Sequence, residues 1–110
     1  MIGTGIRIGG VVVDAADLDL LARFWGRLLG LEITRREDDW ISLGPQLANQ
    51  RVPEPATGKN RIHVDLVVDD FADAVRRASG LGATPAGEMR ENLWQVWRDP
   101  EGNEFCICVS

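Results

Sequence analysis

His63 is the only histidine in the chain, and Asp65 stands two positions after it. On a strand that spacing puts both side chains on one face. An imidazole touching a carboxylate there could act as a general base near neutral pH. The bland alternative is a histidine that is merely hydrogen-bonded in a polar cleft. Cys106 and Cys108 also share a strand face, but lie too far apart along it for an ordinary disulfide. They read first as small buried hydrophobes, second as pocket lining and third as metal ligands. Two strand cysteines and one histidine do not have the spacing of a recognised zinc motif.

The last hairpin supplies further candidates. Its turn is Asp99-Pro100-Glu101-Gly102, with Pro at the second position of a tight turn. Pairing Arg98 with Asn103 across it puts Gln95 and Trp97 on the face of Cys106, and Trp94 with Phe105 and Ile107 beneath the helices. On that register Trp97 lines a hollow and stacks on a flat or apolar ligand. The competing reading packs Trp97 against a second copy of the chain.

The elements that must position these residues follow from periodicity. Ile6 to Val13 is β-branched and almost wholly apolar, which predicts a strand. Asp17 is a natural helix N-cap, Leu18, Leu21, Phe24, Trp25 and Leu28 recur at helical spacing, and Gly30 fits a left-handed C-cap. Leu31 to Arg36, Trp40 to Leu43 and Leu47 to Val52 read as three short strands. Residues 53–60, with two prolines and a glycine, form the one clear linker. The order then repeats: a strand at Arg61 to Val68, a helix capped by Asp70 and ended by Gly80 and Gly82, and strands near Thr84 to Arg90, Leu93 to Arg98 and Asn103 to Val109. Each half is one strand, one helix and three strands.

Composition sets the outer limits. A chain of 110 residues makes one domain, and 45% hydrophobic with 26% charged residues is ordinary for a globular protein. The net charge of -5 disfavours nucleic acid and anionic membrane as partners, and no basic run offsets it. No stretch is long and apolar enough to span a bilayer. Free thiols and the lack of an export-type leader at Met1 to Gly10 predict a cytoplasmic setting.

Three segments, Phe24 to Leu31 (FWGRLLGL), Arg61 to Phe71 (RIHVDLVVDDF) and Asp99 to Asn103 (DPEGN), taken in this order resemble the vicinal oxygen chelate superfamily of glyoxalases, bleomycin-resistance proteins and ring-cleaving dioxygenases. The resemblance covers nearly the whole chain. It implies paired βαβββ modules curled into a cup, closed within one chain or across a dimer. It also implies, in many members, a divalent metal that chelates substrate oxygens. The usual ligand on the first strand of the second module is present as His63. The position on the first strand of the first module falls on Gly10 or Val11, which cannot ligate. The last-strand glutamate position holds Cys106, and an optional fourth position falls near Asn49 or Gln50.

The expectation is therefore an α+β fold: one domain over 1–110, with module one at about 1–53 and module two at about 61–110. The two tandem βαβββ modules form a curved mixed sheet, a cup, with helices on its outer face. Its expected function is small-molecule binding of the glyoxalase/bleomycin-resistance type, without the usual metal or other cofactor. His63 and Asp65 would be polar anchors, with Gln50, Gln95, Trp97 and Cys106 as lining. The chain would be a homodimer, since an exposed sheet edge after Val109 would favour pairing. Two alternatives stand beside this reading. One is a lyase, isomerase or dioxygenase using a divalent metal held by His63 and Cys106, or His63 as catalytic base. The other is a structural or regulatory dimer whose cup is filled by its own side chains.

Overall fold

The computed structural model describes residues 10–54 and 63–110. Module one runs β1 (Val11–Ala15), α1 (Leu18–Leu29), β2 (Ile33–Glu37), β3 (Trp40–Leu43) and β4 (Leu47–Arg51). Module two runs β5 (Val64–Val68), α2 (Phe71–Gly80), β6 (Thr84–Pro85), β7 (Trp94–Arg98) and β8 (Glu104–Val109). The fold is α+β, built from two tandem βαβββ modules, each with a four-stranded mixed sheet. The strand orders are β1-β4-β3-β2 and β5-β8-β7-β6. In each sheet the first strand runs parallel to the last and the other pairs are antiparallel.

Both helices start as their caps dictate. The Asp17 carboxylate accepts from Leu20 N–H at 3.2 Å, and Asp70 accepts from Asp73 N–H at 3.0 Å. Helix α1 ends at Gly30 in the left-handed conformation, φ 68°, where a side chain would be strained. Two strands differ from the sequence expectation. Strand β1 continues through Asp14, which pairs with Gln50; residues 6–9, the start of the expected strand, lie outside the described residues. Strand β6 is only two residues long; past it Ala86 N–H still reaches the Val96 carbonyl at 2.9 Å, and Arg90 meets Trp94 as an isolated bridge.

One hydrophobic core serves both modules. It joins Leu18, Leu21, Phe24, Trp25, Ile41 and Leu43 of the first to Ala78, Trp97, Phe105 and Ile107 of the second. The ring centroids of Trp25 and Phe105 are 5.0 Å apart at an edge-on 68°.

Polar bonds lock the same junction. Asp99, only 3% exposed, accepts from the Trp25 indole N–H at 3.2 Å. It also accepts from the backbone N–H groups of Glu101 and Asn103 and from the Asn103 side-chain amide, each at 2.9 Å. The Glu101 carboxylate accepts from Ala16 N–H at 2.5 Å and Asp17 N–H at 2.6 Å, just ahead of α1, where the helix dipole favours negative charge. The turn read from sequence as a plain reversal thus fastens module two to the first helix of module one. With both sheets turned toward this common core, their opposite faces carry the open surface.

Candidate functional site

The open face of the second sheet carries the chemistry. Strand alternation sends Val64, Leu66 and Val68 inward and leaves His63, Asp65 and Val67 facing out. Parallel pairing sets Asp65 beside Cys106 and Val67 beside Cys108. Antiparallel pairing sets Val96 beside Cys106 and Trp94 beside Cys108. With the segment around residues 86–90 as a rim, these side chains enclose a hollow of about 510 Å³, within the ordinary range for a small-molecule site.

His63, Asp65 and Cys106 meet at its floor. His63 Nε2 lies 3.2 Å from Asp65 Oδ1, and one donor atom from each of the three lies within 4.8 Å of the others. Burial, followed by the Asp65 charge, pushes the Cys106 thiol up to about 11. Cys108 is raised for the same two reasons. Both sulfurs are therefore protonated near neutral pH, and neither is an activated nucleophile. Glu104, at one edge of the hollow, reaches Arg98 at 3.5 Å.

Of the six lining residues expected from sequence, the structure brings these three together. The other three lie elsewhere. Trp97 is 3% exposed and pairs with Phe105, so it faces the common core. Gln95 is on the same side: it accepts from the Trp97 indole at 2.9 Å and donates to the Gly87 carbonyl at 2.8 Å. The cause is register. Arg98 pairs with Glu104 and not with Asn103, and a slip of one residue exchanges the faces of a strand. Trp94, expected beneath the helices, lines the hollow in place of Trp97. Gln50 is exposed on the other sheet, between Asp14 and Trp40. Asn49 points inward and is fully buried. Glu88 and Arg90 were not among the expected residues; they sit on the irregular segment after β6, where no periodicity marks a facing.

The sequence matches the glyoxalase-like domain over residues 10–108, nearly the full chain. The chain belongs to that family, and so to the vicinal oxygen chelate superfamily. No curated protein matches it in sequence. Solved structures share the fold of this glyoxalase-like chain at low identity. An enzyme of the glyoxalase/bleomycin resistance protein/dioxygenase family from Burkholderia phytofirmans PsJN superposes with a TM-score of 0.79 at 18% identity, covering 94% of this chain and 98% of that one. A protein of unknown function from Agrobacterium tumefaciens str. C58 gives 0.77 at 15%, over 98% and 97%. The trypanothione-dependent glyoxalase I of Leishmania major gives 0.76 at 18%, over 94% and 86%.

Many members of this superfamily bind a divalent metal, so the donors here can be tested against one. A hard ion that chelates substrate oxygens wants several imidazoles or carboxylates around open positions. This site has one of each, and its third donor is a thiol, a soft ligand. Gly10 and Val11 bring no donor side chain. The set does not fit a hard ion. Its nearest match is a softer ion such as zinc, which accepts nitrogen, oxygen and sulfur in a three-ligand open site.

Proposed function

We propose that this glyoxalase-like chain is a small-molecule-binding protein of the bleomycin-resistance type that works without a catalytic metal. The observation that carries the reading is the hollow itself. It is roomy, walled by Trp94 and Val96, and holds one polar group of His63, Asp65 and Cys106. Such a place binds a ligand by apolar and aromatic contact while a few convergent polar atoms orient it. A cup filled by its own side chains would not leave that volume, which disfavours a purely structural role.

Its assembly would be a homodimer. The edge expected after Val109 is not there, because β8 lies between β5 and β7. Among the described residues β1 and β5 each stand at one edge of their sheets, with β2 and β6 at the other, and Val12 and Val67 are 44% and 71% exposed. An open apolar strand edge favours pairing with a second copy. The two thiols are free, which favours a reducing cytoplasm. No helix among the described residues is long and apolar enough to cross a membrane.

The test is native mass spectrometry of protein purified without chelator, with ligand titrations of the wild type, Trp94→Leu and Trp97→Phe. The proposed reading expects a dimer free of stoichiometric metal, and ligand binding that Trp94→Leu abolishes and Trp97→Phe spares. The clustering of His63, Asp65 and Cys106 within 4.8 Å favours one rival, a zinc-dependent lyase or isomerase. One zinc per chain, lost in His63→Ala, would replace the metal-free reading with that one.

A further inference from the structure

We propose that the hollow in module two selects a flat aromatic cation, an amine- or amidine-bearing ring system, over neutral and anionic compounds of the same shape. This inference rests on the small-molecule reading above and names the ligand class.

Charge and aromatic surface meet in one place. Among the described residues, three carboxylates line the hollow, Asp65, Glu88 and Glu104, against one guanidinium, Arg90. Glu104 is engaged with Arg98, and Arg90 stands two residues from Glu88 on the rim. That leaves Asp65 as the decisive charge at the floor. Its side chain is 60% exposed. A carboxylate offers about four acceptor sites, so His63 and Cys106 do not exhaust it. Trp94 stands across the same face, opposite Cys108, and an indole is the strongest of the aromatic partners for a cation. Val96, opposite Cys106 on the same face, adds an apolar wall.

A flat cation would lay its ring on Trp94 and Val96 and turn its charged group to Asp65. A neutral ring would gain only the stacking. An anion of the same outline would meet Asp65 and Glu88 as like charges, in a chain whose net charge is already -5.

Three acridines of similar outline separate these cases: proflavine as the cation, acridone as the neutral ring and acridine-9-carboxylate as the anion. Each is titrated with the full-length protein by fluorescence anisotropy, with calorimetry as a second readout. Proflavine should bind most tightly and the carboxylate least. The double variant Asp65→Asn, Glu88→Gln alters exposed groups and should fold normally, as a thermal melt would check. It should weaken proflavine about fivefold or more, as expected for losing exposed charge contacts, and so remove most of the preference for proflavine over acridone. Added salt should act in the same direction.

Equal or tighter binding of the carboxylate overturns the proposal, as does proflavine affinity unchanged in the double variant. If acridone binds and Trp94→Leu abolishes that binding, while no preference for the cation is seen, the charge class fails and the small-molecule reading stands. If none of the three binds, both fail.

Discussion

Replacing Trp25 with Phe tests whether the junction between the modules is held by a bond to an ionised carboxylate or by packing alone. The substitution keeps a ring against Phe105 but deletes the indole N–H that reaches Asp99 at 3.2 Å. A hydrogen bond to a charged acceptor contributes about 1.5–3 kcal/mol. At this length the lower figure applies, about 1.5 kcal/mol. Trimming the buried indole to a benzene ring costs about 1 kcal/mol more in lost contacts. The sum, about 2.5 kcal/mol, should lower Tm by roughly 10 °C in a chain of this size.

The two contributions differ in pH dependence. Burial holds the Asp99 carboxyl above the ordinary aspartate range, opposed by the Asn103, Glu101 and Trp25 donors. A carboxyl raised on folding contributes stability below its unfolded value, and that stability is lost as pH rises through the folded value. Deleting the Trp25 donor, which favours the charged form, raises Asp99 further and steepens the loss. The difference between wild type and Trp25→Phe should therefore widen by about 1.5 kcal/mol from about pH 4 to about pH 7.5. Urea unfolding followed by far-UV circular dichroism at the two pH values measures it. A difference that stays constant with pH would show that only packing was lost, and would refute the bond to ionised Asp99.

Two further outcomes follow from buried polar groups. Asn49 is fully buried between Val13 and Ile41 on the inner face, and among the described residues neither amide atom has a hydrogen-bond partner. Asn49→Leu should remove that desolvation cost and raise stability by about 1–2 kcal/mol in urea unfolding; a loss of stability would mean that the amide has a partner. Cys106 at about 11 should, in a Cys108→Ser background, alkylate about 100-fold more slowly at neutral pH than an unperturbed thiol. Asp65→Asn should speed that reaction several-fold by removing the charge that opposes the thiolate. An alkylation rate that Asp65→Asn leaves unchanged would refute the Asp65 contribution.

What could be read from sequence was whatever depended on neighbours along the chain. His63 and Asp65 lie two apart on one strand, so period two alone puts them together. The caps at Asp17, Gly30 and Asp70 are local signatures and stand where their residue types suggest. The module order survives because each element carries its own periodicity. The register of the last hairpin was not legible. Gly102, at φ 89°, gives the Asp99 to Asn103 reversal one more residue than the tight turn its sequence suggests. That one residue sends Trp94 to the hollow and Trp97 to the core. Glu88 and Arg90 lie beyond β6 on an irregular segment that meets the sheet again at the Arg90–Trp94 bridge, and residue type does not fix their direction.

The long-range fastening of the modules was equally hidden, and it decides what the site can be. Asp99 and Glu101 look like turn residues because nothing in their surroundings along the chain names Trp25 or Ala16 as partners. Once those bonds form, α1 is tied to the β7–β8 turn and both sheets spend their apolar faces on one core. The outward faces are then left to differ. That of module two gathers His63, Asp65 and Cys106 beside Trp94, while that of module one carries Trp40, Ser42 and Gln50. A ligand seated on the first face would still have an open side. The exposed strands β1 and β5 are where a second copy could approach to cover it. The same latch that joins the two modules on one core leaves the outward face of module two open on one side. The proposed ligand binding and the proposed dimer are thus best tested together, by measuring affinity and oligomeric state on the same samples.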